Sequence, residues 1–468
     1  MTRTDQGPQR EGRFDRNRPE QHVPRAAFGT RILVLATGLA LLSAPARAAL
    51  PTFEPPHNPG QEIQADRPCQ VGGISEDGRY VLFASDTAAL LPPGARPGIA
   101  HLYLRDLVRG TTELVDVAPD GSPSPEGVGN IARIRLSGNG RFALFDAAGL
   151  VPGVPGPALF LRDLRRHTTE RADVGSDGTP AENSGVPVGV STGGRYVVFQ
   201  AHAPNLDPQG GDPVIRRIFV RDRWTRTTRL VARIPRDSVA PGWTATTDPE
   251  ARFLGYDLRD PDLSETDPQR HWVTFHQDLR SGKVTRVAVA MDGGRADADT
   301  YVTASANAIS RGGRYVAFES PAGNLVPGDK NGMFDIFRRD MLTGRTRIVS
   351  VAPASVPGNG QSLDLAISAD GGSVAFSSNA TDLVPGDTNA VQDVFLRDMA
   401  RGTTRLVSVT ADGAPGNGSS GDPRYSGSGR FVAFSSNATD LVPGDTNAVQ
   451  DVFVRDLRSN RTVRASVG

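Results

Sequence analysis

Cross-links within the chain are excluded first: one cysteine, Cys69, stands among 468 residues. Lysine is nearly missing too. Only Lys283 and Lys330 occur, so arginine supplies almost all the positive charge. The 52 Lys and Arg residues balance 52 Asp and Glu, for a formal charge of +0. A chain without net charge has no global field to hold nucleic acid or an acidic membrane, and no nucleic-acid partner is expected. Long apolar runs are lacking as well. Ile32 to Leu42 is almost wholly apolar, but it is too short to cross a bilayer as a helix. No integral membrane span is expected.

That run has a different meaning. Arg25 and Arg31 precede it, and Ala46-Arg47-Ala48 follows as a small-x-small cleavage signal. Residues 1–48 read as a leader and secretory signal peptide, and residues 49–70 as a Pro-rich segment ahead of the folded part. Cys69 lies too far past the cleavage site to carry a lipid anchor. The mature protein is expected to be exported, periplasmic or extracellular, and monomeric.

What the chain has in abundance is repetition. The stretch "VAFSSNATDLVPGDTNAVQDVF" runs from Val374 to Phe395 and again from Val432 to Phe453. Weaker copies open with "GRYVLFAS" at Gly78, "GRFALFDA" at Gly140, "GRYVVFQA" at Gly194, "ARFLGYDL" at Ala251 and "GRYVAFES" at Gly313. Their aromatics recur at Phe83, Phe145, Phe199, Tyr256, Phe318, Phe376 and Phe434, which makes seven units. Each unit continues with a phrase such as "LYLRD" or "VFVRD" and then one such as "TTELVDV". Such short runs of Val, Ile, Leu, Phe and Tyr between Gly, Asp, Asn and Pro are β-strands. A further strand ending in Ser or Thr precedes each opening phrase and turns through Asp-Gly, Asn-Gly or Gly-Gly, as tight hairpins require. Each unit is therefore four antiparallel strands, A to D. The runs are apolar on both faces, so each sheet must lie between neighbours. The expectation is an all-β, seven-bladed β-propeller over residues 71–468.

The phrase order "IS-x-DGRYVAF … DVFVRD … VSV" resembles the WD40-like, or TolB-type, propeller repeat of exported bacterial proteins. The resemblance implies the fold and says little of function. TolB itself carries an α/β domain before its propeller, and here only the short Pro-rich segment precedes the first blade. The resemblance is thus to the repeat, and TolB's own partners are not implied.

In a meandering blade the A–B and C–D turns share one end of the ring, and the B–C and D–A loops share the other. The first pair is tight throughout and the second is long, so function is expected on the B–C/D–A face. The Asp that closes each strand C (Asp106, Asp163, Asp222, Asp278, Asp340, Asp398, Asp456) recurs in every unit, as a turn former would. Blade 4 departs from the pattern. It loses the turn Gly (Glu250-Ala251) and carries His271 and His276. Trp243, His271, Trp272 and Tyr301 fall in or near its long loops. They form either a patch for a sugar or peptide or the gap-filling side chains of a degenerate blade. The second is favoured.

Three B–C loops contain Asp-x-Asn-x-x-x-Asp: Asp329, Asn331, Asp335; Asp387, Asn389, Asp393; Asp445, Asn447, Asp451. Oxygen side chains at this spacing resemble the start of a Ca²⁺ loop, without its bidentate Glu. The alternative is a set of capped polar turns. No catalytic triad, phosphate loop or Gly-x-Ser-x-Gly elbow is present. The expected function is a non-enzymatic binding or scaffolding module for a protein or carbohydrate partner, Ca²⁺ being its one candidate cofactor. The alternative is a polysaccharide lyase or hydrolase with its site at the central mouth, where unlike polar residues from several blades should meet.

Overall fold

The computed structural model describes residues 63–129, 131–151, 156–235, 245–264, 266–267, 270–302, 307–353 and 355–468. They belong to one compact unit, Leu50–Gly468. The expected signal peptide, and most of the Pro-rich segment, lie outside the described residues.

The chain forms seven antiparallel sheets, each a meander in chain order. Blade 1 comprises strands Cys69–Ile74, Tyr80–Ser85, His101–Asp106 and Thr111–Leu114. Blade 7 comprises Ser420–Tyr425, Phe431–Ser436, Asp451–Asp456 and Arg461–Arg464. Blade 5 is the irregular one: its inner edge is held to strand B by two bridges, Tyr301↔Glu319 and Ile309↔Val316. Strands B and C are buried on both faces, as in His101–Asp106, whereas strand D alternates between exposed and half-buried residues. A sheet wedged between neighbours has no wet face except at its outer edge. The recurrent aromatics of strands B and C pair across each blade, for example Phe83 with Tyr103 at 5.4 Å and Phe318 with Phe337 at 5.5 Å between centroids.

Neighbouring blades lock through the A–B turn. At Gly194 φ is +72°, and a Cβ there would lie 2.2 Å from the Phe142 ring of the preceding blade. Only glycine permits both the turn and that approach. Blade 4 manages with Ala251 at φ 51°, because Asp248 accepts the N–H groups of Arg252 (2.7 Å) and Phe253 (2.8 Å).

The strand C aspartates cap the C–D turn, as Asp106 does for the N–H groups of Val108 and Arg109. Most are also clamped from within their own blade, whereas Asp398 pairs with Arg401 of its own turn at 2.7 Å. The Arg that follows the turn Gly reaches across, as in Arg79–Asp106 (2.6 Å), Arg141–Asp163 (2.5 Å) and Arg430–Asp456 (2.6 Å). The Arg before that Asp has another task. Arg105 donates to Val467 O of blade 7 (3.3 Å) and Arg221 to Val174 O of blade 2 (3.3 Å).

The ring closes between blades 7 and 1. Val71 and Phe83 share a buried cluster with Phe431 and Val452. Gln64 bridges Val467, and Gly468 N donates to Ile63 O at 2.8 Å, so the two ends of the propeller are tied together.

Candidate functional site at the central mouth

Strand A is innermost in each blade and abuts strand A of the next. Which residues face the channel is decided by bulges in these strands. The pairing slips between Leu363 and Ala366 in blade 6 and between Gly421 and Arg424 in blade 7. Asp364 and Asp422 occupy these bulges at φ 50° and 52°, a conformation that short polar side chains tolerate best among non-glycine residues.

Strand B supplies the second layer. The residue after the recurrent aromatic is Asp146 in blade 2, Gln200 in blade 3, Asp257 in blade 4 and Glu319 in blade 5, against Ala84, Ser377 and Ser435 elsewhere. This position lies near the long-loop end of the strand. Ser377 donates to Asp364 Oδ2 at 3.1 Å, which ties the two layers together in blade 6. Asp257 accepts the Thr274 hydroxyl (2.7 Å) and the Val302 N–H (3.2 Å).

Glu319 is the exceptional member. Its Oε2 is shut off from solvent and has no hydrogen-bond partner among the described residues. Burial pushes its carboxyl up to about 8, and the charges of Asp364 and Asp257 add to the effect. At neutral pH it holds its proton. Burial also holds Asp364 above the usual carboxylate range, helped by Asp422.

Two arginines answer this acidic arc. Arg424 donates to Val71 O at 3.4 Å and feels Asp422 and Asp364. Arg135 of blade 2 donates to Val188 O at 3.1 Å. Burial, Arg424 and Arg133 together push Arg135 down to about 9. Below them is a cavity of about 50 Å³ lined by Ile74, Arg135, Val188, Thr247, Asn307 and Tyr425, from six blades. The tight-turn end is closed by Glu76 of blade 1, which pairs with Arg311 of blade 5 and accepts the Thr192 hydroxyl of blade 3 (3.1 Å). The axis is thus stoppered at the tight-turn end, with Arg135 and the buried Arg424 inside it and the carboxylates of strand B towards the long-loop end.

Larger clefts lie elsewhere. One of about 760 Å³ lies between blades 3 and 4, beside Arg195, Trp224 and Arg252. Others lie between blades 5 and 6 and between blades 1 and 2, at the same level beside the Arg–Asp clamps. A cleft repeated at three blade boundaries is a product of the fold, and its aspartates are already engaged.

Of the aromatic candidates, Trp243 lies outside the described residues. Asp299 gathers the other three. It accepts the Trp272 N–H (2.7 Å) and the Tyr301 hydroxyl (3.0 Å), and it lies 3.5 Å from His271 Nδ1. Trp272 is 4% exposed and lies under Arg259. Tyr301 stacks on Phe334 and, through its backbone bridge, adjoins Glu319. The three Asp-x-Asn-x-x-x-Asp loops share one arrangement. Asn331, Asn389 and Asn447 donate to Asp335, Asp393 and Asp451 at 2.8, 2.7 and 2.8 Å. Those three aspartates also accept the hydroxyls of Ser350, Ser408 and Ser466. Asp329, Asp387 and Asp445 lie beside them in the same loops.

No family model and no curated protein matches the chain. Solved structures do. The β-propeller domain of the trilobed protease from Pyrococcus furiosus, with an open velcro topology, superposes at TM-score 0.50 and 11% identity, over 83% of this chain and 93% of that one. Prolyl endopeptidases superpose at TM-score 0.52 and 12% identity, over 86% and 50%. TolB from Acinetobacter baumannii superposes at TM-score 0.38 and 12% identity, over 83% and 81%. The protein is a seven-bladed β-propeller. It is not TolB itself, and it spans about half the length of the prolyl endopeptidases. The expectation of a non-enzymatic module is overturned here. The propellers at TM-score 0.50 and above come from enzymes, and the mouth joins unlike polar groups from several blades, as an enzyme's would. The likeness carries the fold; the reaction must be argued from the mouth.

The sequence analysis missed the arc itself. A signal was present: the position after each recurrent aromatic is apolar or Ser in three units and Asp, Gln, Asp, Glu in the other four.

Proposed function

We propose that this protein is an exported hydrolase that cleaves a glycosidic bond of an acidic carbohydrate at the long-loop mouth of its channel. The supporting observation is Glu319, a carboxylic acid that keeps its proton at neutral pH beside carboxylates from neighbouring blades. Paired carboxyl groups with separated proton affinities are the equipment for glycoside hydrolysis. Glu319 donates its proton to the leaving oxygen. Asp364, a stronger base than an ordinary Asp, takes a proton from the attacking water. Water adds across the bond, and its proton replaces the one Glu319 gave up. Arg135 and Arg424 neutralise the acidic groups of the sugar. The leader, Ile32 to Leu42 followed by Ala46-Arg47-Ala48, supports export. No described helix is long and apolar enough to cross a membrane.

One observation favours elimination instead. Burial, with Arg424 and Arg133, lowers the proton affinity of Arg135, the direction that a base abstracting a proton from carbon requires. A lyase would leave a double bond conjugated to a carboxylate, visible by its ultraviolet absorbance, whereas hydrolysis yields new reducing ends without it. Incubating the protein with acidic and neutral polysaccharides and following both signals separates the two. Glu319→Gln must abolish turnover under the first reading, and Arg135→Gln under the second. Turnover that survives both variants sinks the site.

A further inference from the structure

The seven blades form an internal series. In strand D, the residue paired with the strand C aromatic is Leu114, Arg171, Leu230, Arg286, Ile348, Leu406 and Arg464, from blade 1 to blade 7. Where it is arginine, it meets a buried carboxylate. Arg171 lies 2.7 Å from Asp173, Arg286 3.0 Å from Asp260 and Arg464 3.0 Å from Asp445. Blades 1 and 3 reach the same end by other means: His101 lies 2.7 Å from Asp116, and Arg217 and Arg233 lie 2.7 and 2.6 Å from Asp207. Five blades thus pair a buried carboxylate with a cationic side chain, because an unpaired buried charge is costly.

Blades 5 and 6 keep the carboxylates and, among the described residues, lack the cation. Asp329 is 4% exposed and Asp387 9%. Opposite them the arginine is replaced by Ile348 and Leu406. Asp387 Oδ1 is buried without a hydrogen-bond partner among the described residues. Blade 7 shows what such a loop accommodates. Arg464 Nη1 sits 3.0 Å from Asp445 Oδ1 and 3.9 Å from Asp451 Oδ2, and Nη2 donates to Gly444 O at 3.3 Å. A positive centre there is surrounded by two carboxylate oxygens and a carbonyl. The same loop in blade 6, identical in sequence from Val374 to Phe395, offers Asp387, Asp393 and the carbonyl of Gly386.

We infer that the B–C loops of blades 5 and 6 each bind a hard divalent cation, Ca²⁺, and that the guanidinium of Arg464 takes its place in blade 7. Carboxylate and carbonyl oxygens suit Ca²⁺, with water completing its shell. Two carboxylates per loop place the affinity at roughly 10⁻⁴ to 10⁻³ M. This inference does not depend on the proposed reaction.

The test exchanges the residue in strand D. The full chain is stripped with EDTA, and its unfolding free energy is followed against the logarithm of CaCl₂ concentration. The limiting slope counts the ions released on unfolding. The wild type should release about two, on the mass-action relation. Leu406→Arg, which supplies blade 6 with its own cation, should lower that to about one, and so should Asp387→Asn. Arg464→Leu should be unstable without Ca²⁺, regain stability with it, and release about three. A wild type whose stability ignores Ca²⁺ overturns the inference. So does a Leu406→Arg variant with an unchanged slope, or an Arg464→Leu variant that Ca²⁺ does not rescue. Should Arg464→Leu fail to fold, Leu406→Arg and Asp387→Asn decide the matter alone.

Discussion

Replacing Glu319 by Gln should make the protein more stable and inactive at once. The group has an ordinary value of 4.5 and is pushed up to about 8 by burial, with Asp364 and Asp257 adding to it. The sign follows from which state holds the proton. Below pH 4.5 both states hold it, and the site costs nothing. Between 4.5 and about 8 the unfolded chain releases the proton and the folded chain retains it. Over that window stability falls by about 1.4 kcal/mol per pH unit. By pH 7 the loss is on the order of 3 kcal/mol, and above pH 8 it levels off. Gln keeps the shape and never ionises, so the variant escapes the loss. Denaturant unfolding at several pH values, read as the difference between variant and wild type, cancels the titration of groups the two share. That difference should be near zero at pH 4 and grow to about 3 kcal/mol at pH 7. A difference that does not change between pH 5 and pH 8 would refute the reasoning, since it would mean that Glu319 ionises normally. A loss of activity without a gain in stability would mean that the side chain matters in some other way.

Asp364→Asn should fold normally, because Asn tolerates φ 50° as Asp does; it should abolish turnover, checked by reducing-end release together with an unchanged melting curve. Asp116→Asn should cost about 3 kcal/mol in denaturant unfolding, because it leaves His101, 2.7 Å away and fully buried, without its counter-charge. Gly194→Ala should cost 2 kcal/mol or more, about 1–2 of it from the positive φ and the rest from the Phe142 clash; a melting point equal to the wild type would show that the blades can shift apart. Deleting residues 416–468 removes the neighbour of two blades and should lower the melting point of the whole protein, where an open array would lose only its end.

Much of the architecture follows from local chemistry and is written in the sequence. The strands follow from short runs of Val, Phe and Ile, the turns from Asp-Gly and Gly-Gly, and the blade number from counting Phe83 to Phe434. Even the role of Asp106 and its six counterparts is local, because a carboxylate two residues from an N–H caps it wherever it occurs. The mouth is not local. Asp364 and Asp422 face the channel because a bulge turns them there, and a bulge is set by how strand A fits its neighbours. Glu319 and Asp257 come together with them only when successive blades pack, which joins residues that lie far apart in the chain. The three Asp-x-Asn-x-x-x-Asp loops read alike, and two are identical, yet they differ in charge. What separates them is Arg464 against Leu406, on a strand that the loop meets only in space. Proton affinity and cation affinity both depend on burial and on which charges lie across the gap, and both of those are properties of the closed ring.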